Sequence, residues 1–425
     1  MEKIINVLNR NKKRMMNLFI YFLGLFALKG VSLILTPLYT KVFSTAEYGT
    51  IELANSIVSF LSAIIGLGLC QYLGIEYFHF DGEEREYVII KNIKQYTFLA
   101  GGATCFLLLL ISVGVIRING LTFAMELLII AVSFLSYFPS LCFMLCKNQQ
   151  KTTLMTIIQL IVGVVTLIMN IMGVCYWGWG IYSTLITTII SNLIIVALIP
   201  KVFQFNINPN GIKLNYHDTI RVLRISIPLA MTTLINSILV LGDRWVLNYC
   251  CSTSEIGIYA LATKFSGIFE LLIVNTLTIF YSPVVYKSYQ NIGIKEYEKR
   301  NKKNFLFYVI VSGIAMAGFL ISVKWIFPIL IDSKYDDSLK YLWIVLIGEF
   351  FLGATYFRTY LINYKKKTKY ILLINAIATL FNLITNIVFI PRYQVYAAAG
   401  TTAASYFVMY VLATIINKNE YNKYK

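Results

Sequence analysis

The chain has 425 residues, 58% of them hydrophobic and only 13% charged, and its 37 Lys+Arg against 20 Asp+Glu give a net charge of +17. Soluble domains carry about 25% charged residues, so this composition excludes an ordinary water-soluble protein. An aromatic fraction of 15% excludes a disordered chain, and a nucleic-acid binder of this basicity would be far less apolar.

Arg10, Lys12, Lys13 and Arg14 precede an apolar run of about 22 residues. That run is too long for a signal-peptide core and no small-residue cleavage site follows, so it reads as a first membrane span. A helix needs about 20 mostly apolar residues to cross the hydrocarbon core. Twelve such segments can be drawn: 17–38, 50–73, 96–116, 124–146, 153–175, 179–200, 222–249, 255–282, 305–331, 339–363, 370–391 and 396–416. Their continuous apolar character excludes a transmembrane barrel, whose strands alternate. With the N-terminus placed in the cytosol, 27 of the 37 Lys+Arg fall in inner segments and 5 in outer ones, the remaining 5 lying within spans. This asymmetry puts both termini in the cytosol. It also puts the whole charge excess there, facing anionic lipid headgroups. The expected fold is all-α: a polytopic membrane protein of about 12 transmembrane helices.

An internal repeat divides the chain into lobes 1–210 and 211–425. Glu47-Tyr48-Gly49-Thr50-Ile51-Glu52-Leu53-Ala54 opens span 2, and Glu255-Ile256-Gly257-Ile258-Tyr259-Ala260-Leu261-Ala262 opens span 8, with Glu, Gly, Leu and Ala coinciding at an offset of 208. Span 5 carries a polar stripe of Gln159, Gly163, Thr166 and Asn170; span 11 carries Asn375, Thr379, Asn382 and Asn386 at the same spacing, offset 216. Thr187, Thr188 and Ser191 of span 6 return as Thr401, Thr402 and Ser405 of span 12, offset 214. Each stripe alone reads equally as a helix-packing face. Their recurrence implies a duplicated six-helix unit, and because six is even the copies run parallel, an arrangement in which transporters place substrate between the repeats.

Pro37-Leu38-Tyr39-Thr40-Lys41 through Glu47-Tyr48-Gly49 resembles the span 1–2 junction of bacterial oligosaccharide flippases, and Gly242-Asp243-Arg244-Trp245 followed by Glu255 to Ala260 resembles its second-half counterpart. The run from Asn386 to Pro391 and then Gly400-Thr401-Thr402-Ala403 is similar to the last hairpin of that family. The superfamily also holds multidrug/cation antiporters and the lipid II flippase. The resemblance implies two six-helix lobes around a central cavity and alternating access. The implied cargo is a polyprenyl-diphosphate-linked oligosaccharide, carried from the cytosolic to the outer leaflet of the bacterial cytoplasmic membrane. Implied partners are that lipid-linked oligosaccharide, membrane lipids, a coupling Na⁺ or H⁺ and a polysaccharide polymerase; no cofactor, metal or nucleic acid is expected.

A diphosphate head requires a polar, central cationic cavity that opens to one side at a time, and each charge inside the membrane costs at least about 2.5–3.5 kcal/mol. Lys29 lies mid-span on a polar stripe with Ser32, Thr36 and Tyr39. Relatives that flip diphosphate lipids place a basic residue in that span, which assigns Lys29 to substrate. Lys264 in span 8 is the second candidate phosphate ligand, near the family's second-lobe basic position. Arg244, next to Asp243, continues a face with Thr233 and Ser237; it reads as a substrate ligand or as half of a structural pair. Tyr356 and Tyr360 share a stripe with Glu349 and Gly353 that would stack on sugars or pack helices. Glu270, Glu349 and Asp243 are candidate sites for a coupling ion. Glu52 and Glu126 sit nearer the outer ends of their spans and are weaker candidates; Lys324 and Arg358 lie near span ends, where they can snorkel.

Two other functions compete. A cation-coupled multidrug or metabolite antiporter of the same superfamily would want an acidic cavity, and the spans hold 5 basic and 5 acidic groups. A membrane polymerase or glycosyltransferase would need catalytic groups on a substantial outer loop, which no outer segment supplies. The chain is expected to be a carrier, not an enzyme.

Overall fold

The computed structural model describes residues 30–115, 117–205, 211–278, 281–282, 285 and 294–422. Among them there is no strand. Bilayer hydrocarbon offers backbone N–H and C=O groups no water, so only a conformation that satisfies them within one segment, or a closed barrel, can cross it. The helices are α1 (30–42), α2 (Thr45–Ile65), α3 (Leu69–Glu76), α4 (Gly82–Ser112), α5 (Phe123–Leu135), α6 (Tyr137–Asn148), α7 (Thr152–Cys175), α8 (Ser183–Phe203), α9 (Tyr216–Cys250), α10 (Thr253–Phe269), α11 (Ile294–Leu330), α12 (Ser338–Tyr364) and α13 (Thr368–Asn422).

Ten of the described helical stretches are long and apolar enough to cross a membrane. One of the ten, the 55-residue α13, is two helices meeting at Gln394 (φ 50, ψ −127), and α1 is the described end of span 1. The count of about twelve spans follows, and the chain is a multi-pass membrane protein. Two details differ from expectation. The connections before spans 3 and 7 are partly helical: α4 starts at Gly82 and α9 at Tyr216, so both helices extend beyond their apolar windows. Hydropathy marks only the lipid-soluble part of a helix, and Glu83 and Glu84 in the first turn of α4 favour its N-terminus electrostatically. Span 4 is broken at Ser136, which separates α5 from α6. Pro139 has no N–H to give the carbonyl of Leu135.

The duplication is visible in backbone geometry. Gln150 (φ 54) ends the turn before α7, and Lys366 (φ 55) does the same before α13. Gly178 (φ 65) lies between α7 and α8, and Gln394 (φ 50) between the halves of α13. Both pairs keep the offset of 216. The motif that opens spans 2 and 8 also has a physical cause. At α10 the Ser252 side chain accepts from the Glu255 N–H, and the Glu255 carboxylate accepts from the Ser252 N–H at 3.2 Å. At α2 the Ser44 N–H donates to Glu47 at 2.8 Å and the Glu47 N–H donates to Ser44 Oγ at 3.2 Å. Each helix thus starts on the same capping box.

Chain contacts divide the protein into two compact units, Met1–Val42 with Ile57–Leu234, and Phe43–Ser56 with Ile235–Lys425. The first has its core around Leu69, Leu73, Tyr96, Tyr137, Leu141 and Leu145. Tyr96 and Tyr137 stack there with ring centroids 3.7 Å apart, and Tyr137 donates to the buried Asn92. Its polar stripe is bonded across helices: Tyr39 donates to Asn170 (2.6 Å), and Asn170 donates to Thr187 (2.8 Å). In the second unit Thr401 donates to Asn386, and Asn386 to Asn382 (2.9 Å). The recurring stripes therefore pack span 5 on span 6 and span 11 on span 12.

In the second unit α2 crosses α10 with backbone against backbone. A Cβ on Gly49 would lie 1.7 Å from the Thr253 carbonyl oxygen, and one on Gly257 would lie 2.2 Å from that of Thr45. Thr45 and Thr253, like Gly49 and Gly257, are repeat equivalents at offset 208, so each glycine faces the partner helix's matching threonine. Thr45 and Ser254 hydroxyls close the contact at 2.5 Å. Gly257→Val should therefore lower stability by about 1–3 kcal/mol through overpacking, read as a lower thermal transition and folded yield in detergent. Gly74→Ala, whose nearest neighbour would be Met144 Cγ at 3.5 Å, serves as the tolerated control. Equal behaviour of the two variants would refute this account of the contact.

Candidate binding cavity

A cavity of about 410 Å³ lies within the second unit. Four helical faces and the N-terminal half of α2 line it. α9 contributes Asn236, Val240 and Arg244, successive residues four apart; α10 contributes Tyr259, Thr263, Lys264, Ser266 and Gly267. α12 supplies Val345, Glu349, Leu352, Tyr356 and Thr359, the three- and four-residue spacing of one helix face, and α13 supplies Asn375, Thr402 and Tyr406. Glu52 enters from α2.

Lys264 donates to Tyr48 Oη at 2.9 Å and to Glu52 Oε1 at 3.2 Å. The Lys264 and Glu52 side chains are 19% and 14% exposed, so this is a largely desolvated ion pair. Tyr48 is fully buried and offers its ring face as well, 5.3 Å from the ammonium. Arg244 is 6% exposed. Its Nη2 donates to Thr263 at 3.1 Å, Nη1 donates to the Val240 carbonyl at 3.4 Å and lies 3.9 Å from Asp243, and its buried Nε has no hydrogen-bond partner among the described residues. Asp243 sits behind the cavity wall. It accepts from the Arg244 N–H (2.8 Å), Tyr259 (2.5 Å) and Thr402 (3.4 Å). Three donors and a guanidinium are what a carboxylate needs to stay buried.

Glu349 is 8% exposed and accepts from Ser266 at 3.4 Å. Glu270 closes α10 and starts a π-helical turn, Glu270–Asn275, where it accepts from Asn275 at 3.2 Å. Such turns are rare and cluster at functional sites.

Of the residues expected to carry function, Lys264, Arg244, Tyr356, Glu270 and Glu349 meet in this cavity, and Asp243 lies behind it. Lys29 falls outside the described residues. Tyr360 is not part of the lining: its hydroxyl donates to the Thr278 carbonyl at 3.0 Å, and its ring packs beside Phe357 and Tyr308. Glu126 is a structural carboxylate, accepting from Arg117 at 3.0 Å and from the Ile118 N–H at 2.8 Å. Arg358, expected to snorkel, lies over the Phe305 ring at 4.2 Å and donates to Tyr410 at 3.2 Å. Glu52, a weaker candidate on sequence, lines the cavity and pairs with Lys264. Its signal was the repeat itself: if the equivalent glycines Gly49 and Gly257 touch, residues one and two turns further along the two helices must face each other.

The lining is not cationic. Two basic side chains, Lys264 and Arg244, share it with three carboxylates, Glu52, Glu270 and Glu349. Each basic group already has an acidic neighbour.

Comparison with known proteins places this geometry. The chain spans 95% of its length on an inward-facing multidrug resistance transporter of the MATE family in the MOP superfamily, covering 98% of that protein with a TM-score of 0.72 at 10% identity. On the lipid II flippase MurJ in an inward closed conformation it again aligns over 95%, covering 89% of that protein with a TM-score of 0.78 at 15% identity. At these identities the likeness establishes the fold, which this chain shares with both proteins. No curated protein matches the sequence. The profile of one family, described as polysaccharide biosynthesis protein, matches residues 15–287, more than half of the sequence. The chain belongs to the polysaccharide biosynthesis protein family.

Proposed function

We propose that this protein is a flippase that moves a polyprenyl-diphosphate-linked oligosaccharide from the inner to the outer leaflet of a bacterial cytoplasmic membrane. It would work by alternating access between lobes 1–210 and 211–425, with both termini in the cytosol and a polysaccharide polymerase consuming its product. The observation that carries this reading is the pair Lys264 and Arg244, two largely desolvated cations lining one cavity in a member of a polysaccharide-biosynthesis family. Charges at such depth are retained where they serve a pathway. Lysine meets phosphate as a compact point charge and arginine by paired hydrogen bonds, so together they suit a diphosphate. Lys29 would add a third cation from span 1. Tyr356 and Tyr406 give flat apolar surfaces beside Asn236, Asn375 and Thr355, a mixture suited to sugar rings. About 410 Å³ is the scale of a small-ligand pocket, so it would hold part of the head group while the lipid tail stays in the bilayer.

One observation favours a second reading. Three carboxylates outnumber two cations on the cavity wall, which suits a cation-coupled antiporter of an organic cation. Under either reading Glu349 and Glu270 are the groups open to a coupling Na⁺ or H⁺, while Asp243 is held by its own donors.

A deletion strain should accumulate lipid-linked glycan. Wild type should restore export, and Lys264→Ala and Lys29→Ala should each fail to do so. Full rescue by both variants would overturn the diphosphate reading, and increased sensitivity to cationic dyes with unchanged glycans would favour the antiporter.

Glu349→Gln should fold and yet lose dependence on a Na⁺ or H⁺ gradient in proteoliposomes. Asp243→Ala should instead lose folded protein, because it strands Arg244, Tyr259 and Thr402, a loss of about 3–5 kcal/mol for a broken buried pair. Thermal-shift and gradient-driven transport measurements on the two variants distinguish these roles.

A further inference from the structure

Resting on the flippase reading, we infer that Glu52 is an internal ligand of Lys264 that exchanges with the diphosphate of the cargo: it occupies the ammonium in the empty carrier and reclaims it on release. The geometry supplies each element of the exchange. Lys264 and Glu52 both line the cavity, so a ligand there reaches the ion pair directly. Their separation is 3.2 Å, and the two side chains retain only 19% and 14% exposure. In such surroundings neither charge can be left alone, because removing one partner of a buried pair leaves an uncompensated charge. The ammonium must therefore pass from one anion to another rather than stand free.

Tyr48 makes the exchange feasible. It is fully buried and accepts from the same ammonium at 2.9 Å, so it keeps Lys264 aimed when the carboxylate leaves. An ammonium has three hydrogens, and Tyr48 and Glu52 take two of them; the third is available to an arriving phosphate oxygen before the first two are released. The displaced carboxylate stays in the cavity that Arg244 also lines. The rotating parts are long side chains on α2 and α10, whose backbones are pinned together at Gly49 and Gly257. The exchange needs no helix movement.

The test is binding of farnesyl diphosphate to the full chain in nanodiscs, with farnesol as the control for the lipid tail, followed by flipping of a fluorescent polyprenyl diphosphate in proteoliposomes. Lys264→Gln should bind about tenfold more weakly than wild type. Glu52→Gln should bind about tenfold more tightly, the change expected for roughly 1.4 kcal/mol of lost competition. It should also flip more slowly, because nothing then displaces the product. Glu52→Gln/Lys264→Gln should bind no more tightly than Lys264→Gln, since the gain acts through Lys264. A carboxylate that merely braces the fold would lose affinity and rate together. Glu52→Asp, whose shorter arm reaches Lys264 less well, should tighten binding too, and it supplies the readout if Glu52→Gln does not fold. Unchanged or weaker binding in the folded Glu52 variants, with wild type binding and Lys264→Gln impaired, overturns the exchange alone. If wild type and every variant bind farnesyl diphosphate no better than farnesol, the diphosphate reading fails and the exchange fails with it.

Discussion

An ammonium group inside a bilayer has to bring its counter-charge with it, and much of the second unit follows from meeting that demand at Lys264. Glu52 and Tyr48 are the groups that meet it, and both stand on α2. A 3.2 Å contact between side chains on two helices requires the helix axes to approach closely. Gly49 and Gly257 permit the approach, each leaving room for a carbonyl oxygen where a side chain would stand. The glycine crossing and the ion pair are therefore one device. A methyl group at the crossing would push the helices apart and strain the pair a turn further on.

The duplication built the scaffold twice and the chemistry once. Capping boxes, crossing glycines, polar stripes and left-handed turn residues all recur at offsets of 208 to 216. The charges do not. At offset 208 the counterpart of Lys264 is Ser56 and that of Glu52 is Ala260. Ser56 is buried and accepts from the Trp245 indole at 3.0 Å, a structural contact in the unit where Lys264 faces the cavity. A repeated sequence frame thus carries a site that is not repeated.

Most of the frame was legible in the sequence because its causes are local. Runs of apolar residues mark the spans, and Ser-x-x-Glu followed by glycine marks two helix starts. What hydropathy could not show was the polar extension of α4 and α9, since a helix that leaves the lipid loses the apolar signal while keeping its hydrogen bonds. The site was legible in part. Lys264, Arg244, Glu270 and Glu349 stood out because charge within a span is rare. Tyr356 and Tyr360 looked equivalent, four residues apart on α12, yet one reaches the cavity and the other bonds the backbone at Thr278. That difference depends on which neighbour covers each turn, which no single helix encodes. The polar stripes, open on sequence to a packing role or a cavity role, carry both: Asn170 bonds Thr187 across α7–α8 and Thr401 bonds Asn386 within α13, while Asn375 and Thr402 line the cavity. The π-helical turn at Glu270 has no sequence signature at all.

The balance of charge in the cavity bears on how a carrier of anions could work. A wall with a surplus of fixed cations would capture a diphosphate and hold it, since every contact that favours entry opposes release. A conducting or carrying site has to bind well enough to load and weakly enough to unload. Here the cations are matched in advance: Lys264 by Glu52, Arg244 by Asp243. An arriving anion therefore gains only the difference between its own contacts and those it displaces. Glu349 and Glu270 raise that threshold further unless a cation neutralises them, which under the proposed function would link loading to a coupling ion. A cavity without net positive charge is thus no argument against an anionic cargo. Under the proposed function it is the arrangement that would keep each charge partnered at every stage, with the cargo's phosphates, the cavity's carboxylates and a coupling ion taking turns on the same few groups.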